Sequence, residues 1–287
     1  MRDGVALFLV PESRGDDPWR EAASGLERAL RASPELERRL FGVTSAALAP
    51  ADRMFRALVL DERGAHEEAA RIAESAEREL YPAAYLECRE RLLEAAVAEV
   101  ARGTGPIVDL ASGRCTLVER LARELDRPVL ATDVSHTVLR RSRERLRALG
   151  LAGRVAFVCL DARLTPFADG SIATMTTYAG LGNVPDPGAL LAEVRRAVSG
   201  VFAPLCTFFP EDDEANRAAA RATDLDRLLF LATALEAFAE AGWRVETAAA
   251  CSSEARPTPA GVVLEGARVD GLPVADTVVE WRLLRAR

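Results

Sequence analysis

Apolar positions along the chain change their spacing once, near residue 103. Before it the period is helical. Ser33-Pro34 offers an N-cap and a first-turn proline, and Gly42 closes the segment after Leu40-Phe41. Ala65, Ala69, Ile72, Ala76 and Leu80 then share one face, while Glu67, Arg71, Glu74 and Arg78 cover the opposite one. Leu86, Leu93, Ala96, Val97 and Val100 make a further stripe, ended by the breaker cluster Gly103-Thr104-Gly105-Pro106.

Beyond the breakers, short apolar runs alternate with amphipathic segments. Strands are predicted at 107–110, 129–132, 155–160, 172–177 and 201–209, with two more around 243–245 and 278–284. Between them lie helices carrying Leu117, Val118, Leu121, Ala122 and Leu125, then Val138, Leu139, Ser142, Leu146 and Leu149, then residues 187–198 and 225–241. Such alternation implies an α/β fold, a mostly parallel sheet with helices on both faces. Residues 1–102 form a mainly helical N-terminal region expected to act as lid or substrate wall, and 103–287 the sheet domain.

Composition narrows the setting. With 49% hydrophobic and 28% charged residues, wholesale disorder is excluded. The apolar run Val5–Val10 is too short to span a bilayer and Pro11-Glu12-Ser13-Arg14 follows without a cleavage signature, so a cytoplasmic location with no membrane partner is expected. A net charge of −7 disfavours a nucleic-acid partner. All 37 basic residues are arginine, in keeping with a GC-rich coding bias. Five cysteines without a C-x-x-C pair, and only two histidines, give little support to a metal site or a disulfide framework, and reduced thiols are expected. Nothing here excludes a homodimer.

Open parallel sheets bind ligands beyond the carboxyl ends of their strands, where strand order reverses. Here Asp109, Asp133 and Asp161 stand at the ends of the first three strands of the sheet domain. Any one of them is as well explained as an N-cap or turn former. Three in register point to a ligand. The first loop, Asp109-Leu110-Ala111-Ser112-Gly113-Arg114-Cys115, is small-residue rich, as a sharp turn beside a ligand requires. An aspartate there would repel a dinucleotide pyrophosphate, and the G-x-G-x-x-G fingerprint is missing. A ligand bringing an ammonium and a sulfonium is welcome instead.

These segments resemble the class I S-adenosylmethionine-dependent methyltransferases, a Rossmann-like family. Asp109–Cys115 resembles the D-x-G-x-G-x-G loop, with Ala111 and Cys115 in place of the first and third glycines. Ala131-Thr132-Asp133-Val134-Ser135 is similar to the end of the family's second strand. The stretch Asp161-Ala162-Arg163-Leu164-Thr165-Pro166-Phe167-Ala168-Asp169-Gly170-Ser171 is similar to D-A-x-x-L-P-F-x-D-x-S with Thr165 inserted. Gly182-Asn183-Val184-Pro185-Asp186 resembles the turn before the next helix, with Asn183 for its histidine, and Ala173 replaces the acid that often opens the fourth strand. The resemblance implies a mostly parallel sheet with an antiparallel last strand. It implies S-adenosylmethionine as cofactor, S-adenosylhomocysteine as product, and a small organic acceptor methylated at O, N or C. It also implies roles: Asp109, Ala111 and Gly113 around the methionine moiety, Asp133 with Val134 at the ribose, Asp161 and the Ala162 N–H at the adenine, and Tyr178 with Ala179 between cofactor and substrate.

Methyl transfer asks for alignment first, and for a base only with some acceptors. Base candidates are His136, Glu211, Asp212 and Asp213; a surface helix residue and a solvated acidic loop are the competing readings. Tyr81 and Tyr85 either line the substrate cavity or pack in the core. Two other functions stay open, a cofactor-binding protein without methyl transfer and a nicotinamide-dependent oxidoreductase.

Overall fold

The computed structural model describes residues 1–9, 30, 32–258, 269 and 271–287. Val10 and the following Pro11–Arg14 segment lie outside them. In chain order the elements are β1 (Ala6–Phe8), α1 (Pro34–Phe41), α2 (Pro50–Glu62), α3 (His66–Leu80), α4 (Ala83–Ala101), β2 (Ile107–Asp109), α5 (Thr116–Glu124), β3 (Val129–Asp133), α6 (His136–Ala148), β4 (Val155–Leu160), β5 (Ile172–Tyr178), α7 (Pro187–Ala197), β6 (Val198–Phe208), α8 (Glu214–Arg221), α9 (Asp226–Leu229), α10 (Leu231–Glu240), β7 (Val245–Ala255) and β8 (Thr277–Ala286).

Among these residues one sheet runs β1-β4-β3-β2-β5-β6-β8-β7. β1 to β6 are parallel, and β8 lies antiparallel to both its neighbours. From β2 the chain winds outward through β3 and β4, then returns to place β5 on β2's other side. The loops after β2 and β5 therefore diverge at a topological switch point, where such sheets bind ligands. The strands in the middle are apolar on both faces because each face carries helices. Leu92, Leu93, Val97, Leu117, Leu121 and Leu139 cover one face; Leu190, Leu191, Val194, Phe238 and Trp243 cover the other.

The helices before the breaker cluster divide by what they bury. α4 packs on the sheet through Leu92, Leu93, Ala96 and Val100, and its buried Glu99 takes two hydrogen bonds of 2.5 Å from Arg285 of β8. α1, α2 and α3 have small cores of their own, around Leu40, Leu58 and Val59 and around Met54, Ile72 and Ala76. Buried Asp61 links them to the sheet domain, its carboxylate lying 2.8 Å from His66 Nδ1 and 3.7 Å from the Arg141 guanidinium on α6. The Ser33 cap is present, its hydroxyl accepting from the Leu36 N–H.

Several expectations need correction. The N-terminal region is not helical from its start, because Ala6–Phe8 adds a strand at the sheet's edge beside β4. The helix expected over 225–241 breaks at Phe230, whose extended backbone bridges Phe209; Phe209 N–H donates to Leu229 O. Tertiary pairing overrides local helix preference there. The acidic run after β6 is not all loop, since Asp213 caps α8 through the Asn216 N–H. The strand expected at 243–245 extends from Val245 to Ala255, and Trp243 precedes it, buried, with Nε1 donating to Leu191 O. The cysteines are not all reduced: Cys88 of α4 and Cys251 of β7 form a disulfide, while Cys115, Cys159 and Cys206 are free and buried. Spacing in the sequence cannot reveal a bridge between residues 163 apart.

Candidate active site

The loop after β2 explains why the family pattern asks for glycine. Ala111, Gly113 and Cys115, the three glycine positions of the pattern, have φ of 50°, 48° and 60°. Only one is glycine, and a side chain in this left-handed region costs roughly 1–2 kcal/mol per residue. The conformation is kept because the loop is tied to β3. Ser112 N–H donates to Thr132 O at 2.7 Å, the Thr132 N–H returns to Ser112 Oγ at 3.0 Å, and the hydroxyls of Ser112 and Thr132 both donate to Asp109 O. A Cβ added at Gly113 would meet nothing within 4 Å, so the open side of the loop lies there. The Cys115 side chain is wholly buried in the cluster with Leu117 and Leu121, where burial pushes its thiol up to about 12. It leaves the open side clear.

Two polar atoms at this end of the sheet are buried without a hydrogen-bond partner, Asp109 Oδ1 and Thr177 Oγ1. Asp109 is 1% exposed, and its carboxyl is pushed up to about 7. Burial is the main cause; a hydrogen bond from Ser112 opposes it and the nearby Asp133 adds to it. Such a carboxyl calls for a cation. The strand-end loops meet closely: a Cβ on Gly180 would sit 2.4 Å from Thr177 Oγ1 and 2.8 Å from Ala111 Cβ, so only glycine fits.

The other two aspartates are already engaged. Asp133 Oδ2 accepts from Gly113 N–H at 3.0 Å and Oδ1 from Ser135 N–H at 2.9 Å. It thus fixes the first loop and the start of α6 at once. A carboxylate has about four acceptor positions in all, so one at this strand end can also address a ribose diol. Asp161 is held by Arg163 in a two-pronged pair, Nε to Oδ1 at 3.0 Å and Nη2 to Oδ2 at 2.7 Å. Val134 O accepts from the Cys159 thiol, and Ala162 is buried just past β4. The residues present fit S-adenosylmethionine: a buried carboxyl with one oxygen lacking a partner for its cationic end, an open glycine beside it, and carboxylates at the next two strand ends.

A second feature lies past β5 and β6, a cavity of about 160 Å³. Its wall is aromatic. Tyr81 and Tyr85 stack with ring centroids 4.9 Å apart, Tyr85 meets Trp281 edge-on at 5.5 Å, and Tyr178 stacks on Trp281 at 6.0 Å. Both tyrosines before and within α4 therefore line the cavity. Arg89, one turn further along α4, lines it too. Arg89, Trp281 and Thr177 went unnoticed in the sequence. A helix stripe does mark position 89 as a neighbour of 85, but nothing local joins either to residue 281.

The proposed bases do not meet there. His136 sits at the start of α6 with Nε2 3.2 Å from Arg2 O and 3.6 Å from the Asp3 carboxylate. Glu211 accepts from Arg217 and from the Ala232 N–H. Asp213 takes hydrogen bonds from Thr277 Oγ1, Asn216 Nδ2 and Asn216 N–H. Burial raises its carboxyl, but these bonds outweigh it and hold the group below the usual carboxylate range. Asp212 is exposed. None of the four lines the cavity. Among the described residues no cluster is arranged to hold a metal ion, and no helix is long and apolar enough to cross a membrane.

Residues 107–200 match the family model for a methyltransferase domain. Over 95 residues the chain is 35% identical to the ubiquinone/menaquinone biosynthesis C-methyltransferase of Klebsiella pneumoniae and 34% identical to that of Escherichia coli. Each match covers 32% of this chain and 38% of the relative, so the chain matches well under half the length of these relatives. Among solved structures, the YcgJ protein of Bacillus subtilis superposes with a TM-score of 0.54 at 15% identity, covering 69% of this chain and 97% of that one. The [4+2]-cyclase SpnF superposes with 0.53 at 18% identity, covering 69% and 80%. These two likenesses carry the fold alone. Sheet order, antiparallel last strand and strand-end loops agree with that match: over residues 107–200 the chain is similar to a methyltransferase domain, carried on a Rossmann-like sheet.

Proposed function

We propose that the protein transfers a methyl group from S-adenosylmethionine to a small organic acceptor seated in the aromatic cavity. The observation that carries this reading is the buried, unpartnered carboxyl oxygen of Asp109 beside the open face of Gly113. When bound, the cofactor supplies an electrophilic methyl on a sulfonium. The remaining work falls to positions on this chain. Asp109 faces the cationic end and is drawn toward its ionised form. Asp133 addresses the ribose hydroxyls from the carboxylate that also holds Gly113 and Ser135. Asp161 and the Ala162 N–H address the adenine edge, with Arg163 swinging aside to release the Asp161 oxygens. Tyr178, at the end of β5, stands between the two compartments and lines the acceptor's.

In this reading α1 to α3 form the lid and the start of α4 the substrate wall, which excludes water and aligns the acceptor. Among the described residues no carboxylate or imidazole lines the cavity, which favours an acceptor that is already nucleophilic or acidic enough to lose its proton to solvent. A partner in the form of a second copy of the chain is compatible with this arrangement but not required by it.

The same fold serves a cyclase, so binding and transfer need separate tests. Incubation with S-adenosylmethionine and a panel of small acceptors, read by mass spectrometry, should release S-adenosylhomocysteine in step with a methylated product. Cofactor binding without any S-adenosylhomocysteine across the panel would favour a reaction other than methyl transfer.

A further inference from the structure

The cavity's charge is opposite to that of the protein. The chain carries a net charge of −7, yet among the described residues the charged ones lining this cavity are Arg89 and Arg256, with no carboxylate. Arg89 is three-quarters buried and pairs with Glu77 through Nη2 at 2.6 Å. Glu77 lines a separate outer groove and is absent from the cavity wall. It therefore steadies Arg89 from behind and occupies one of five guanidinium N–H donors, leaving others for the cavity side. Arg256 is exposed and makes no ion pair among the described residues.

The rest of the wall is flat and aromatic. Tyr85, Trp281 and Tyr178 form a continuous surface, with Trp281 itself 2% exposed and fixed between the two tyrosines. The volume of about 160 Å³ equals the share of about five waters in the liquid, space for one ring with a small substituent. With Arg89 paired only from outside the cavity and Arg256 exposed at its edge, the described lining is positive beside a cationic methyl donor, which an anionic acceptor complements. Of the acidic run Glu211–Glu214, Asp213 caps α8 and Glu211 pairs with Arg217, and none of the four lines the cavity to draw a cationic acceptor.

Resting on the methyl-transfer reading, we propose that the acceptor is a planar aromatic carboxylic acid. Its ring lies against the Tyr85–Trp281–Tyr178 wall, and Arg89 receives its carboxylate. Arg89 and Trp281 are then the residues that set acceptor specificity.

The test is a ligand-observed NMR titration of the full chain with benzoate, benzamide and cyclohexanecarboxylate, with and without S-adenosylhomocysteine. Benzoate should bind about ten- to hundredfold more tightly than benzamide, the ratio expected for a hydrogen bond to a charged group. It should also exceed cyclohexanecarboxylate. Arg89→Gln should erase the advantage over benzamide, and Tyr85→Leu the advantage over cyclohexanecarboxylate. Benzamide binding as tightly as benzoate, or no benzoate binding, would overturn the proposal, as would an Arg89→Gln protein that keeps the preference. If Arg89→Gln does not fold, the unmodified chain and Tyr85→Leu still decide. Binding of S-adenosylhomocysteine in the same samples tells the two readings apart: its failure counts against methyl transfer, and a failed benzoate preference with it intact counts against this acceptor class alone.

Discussion

The two halves of the ligand-binding edge are built in opposite ways. At the ends of β2, β3 and β4 the chain uses short local loops whose polar groups satisfy one another: Ser112 with Thr132, Asp133 with Gly113 and Ser135, Asp161 with Arg163. Past β5 and β6 the cavity is assembled from residues far apart in sequence, Tyr81 just before α4, Arg89 within it, Tyr178 from β5 and Trp281 from β8. Its walls are held by packing, by the Glu99–Arg285 pair and by the Cys88–Cys251 bridge. A loop fixed by its own hydrogen bonds suits a cofactor that does not change, whereas a wall fixed by long-range contacts can be altered one residue at a time to suit an acceptor.

The difference predicts separable failures. Largest should be Asp133→Ala. It removes the ribose contacts proposed for this carboxylate and releases Gly113 and Ser135, so S-adenosylmethionine affinity should fall by about a hundredfold or more in calorimetric titration. Benzoate binding should hold. Loss of both together would mean that the two regions are one unit. Next comes the disulfide. Reduction, or Cys88→Ser with Cys251→Ser, should cost about 2–4 kcal/mol in denaturant unfolding. It should weaken acceptor binding more than cofactor binding, because Cys251 pairs in register with Trp281.

A third, smaller effect follows from Asp109. Its folded-state pKa, about 7, lies above the usual 3.8. The stability this group contributes is therefore full below pH 3.8 and is lost as pH rises through about 7. The loss runs at up to about 1.4 kcal/mol per pH unit. Cofactor affinity should run the other way. Binding a cation favours the ionised carboxyl, so affinity should climb by up to about tenfold per unit below pH 7 and flatten above it. Asp109→Asn should remove both slopes, and slopes that persist in it would place the titration elsewhere. Smallest of all, His136→Ala and Asp212→Asn should change S-adenosylmethionine affinity by less than about twofold, as substitutions away from the site do. A tenfold change in either would return these residues to the site.

This contrast also governs what could be read from the sequence. Strand–helix alternation and the aspartates at the strand ends were legible, because each is a local pattern repeated along the chain, whereas the antiparallel last strand followed from the family resemblance alone. The strained loop was legible only by analogy: Ala111 and Cys115 hide a conformation that glycine would have announced. The cavity was half visible. Tyr81 and Tyr85 stand out in composition, but whether they face a core or a cavity depends on β8, two hundred residues away. The break at Phe230, the edge strand at Ala6–Phe8 and the Cys88–Cys251 bridge were not legible, since each is decided by a partner distant in sequence.

The central claim is that the buried carboxyl of Asp109 and the open face of Gly113 belong to an S-adenosylmethionine site. The most direct measurement is calorimetric titration of the unmodified chain with S-adenosylmethionine at pH 6 and pH 8. The account predicts saturable binding, tighter at pH 8, with protons released on binding at pH 6. Absence of heat at high micromolar cofactor at both pH values would contradict it.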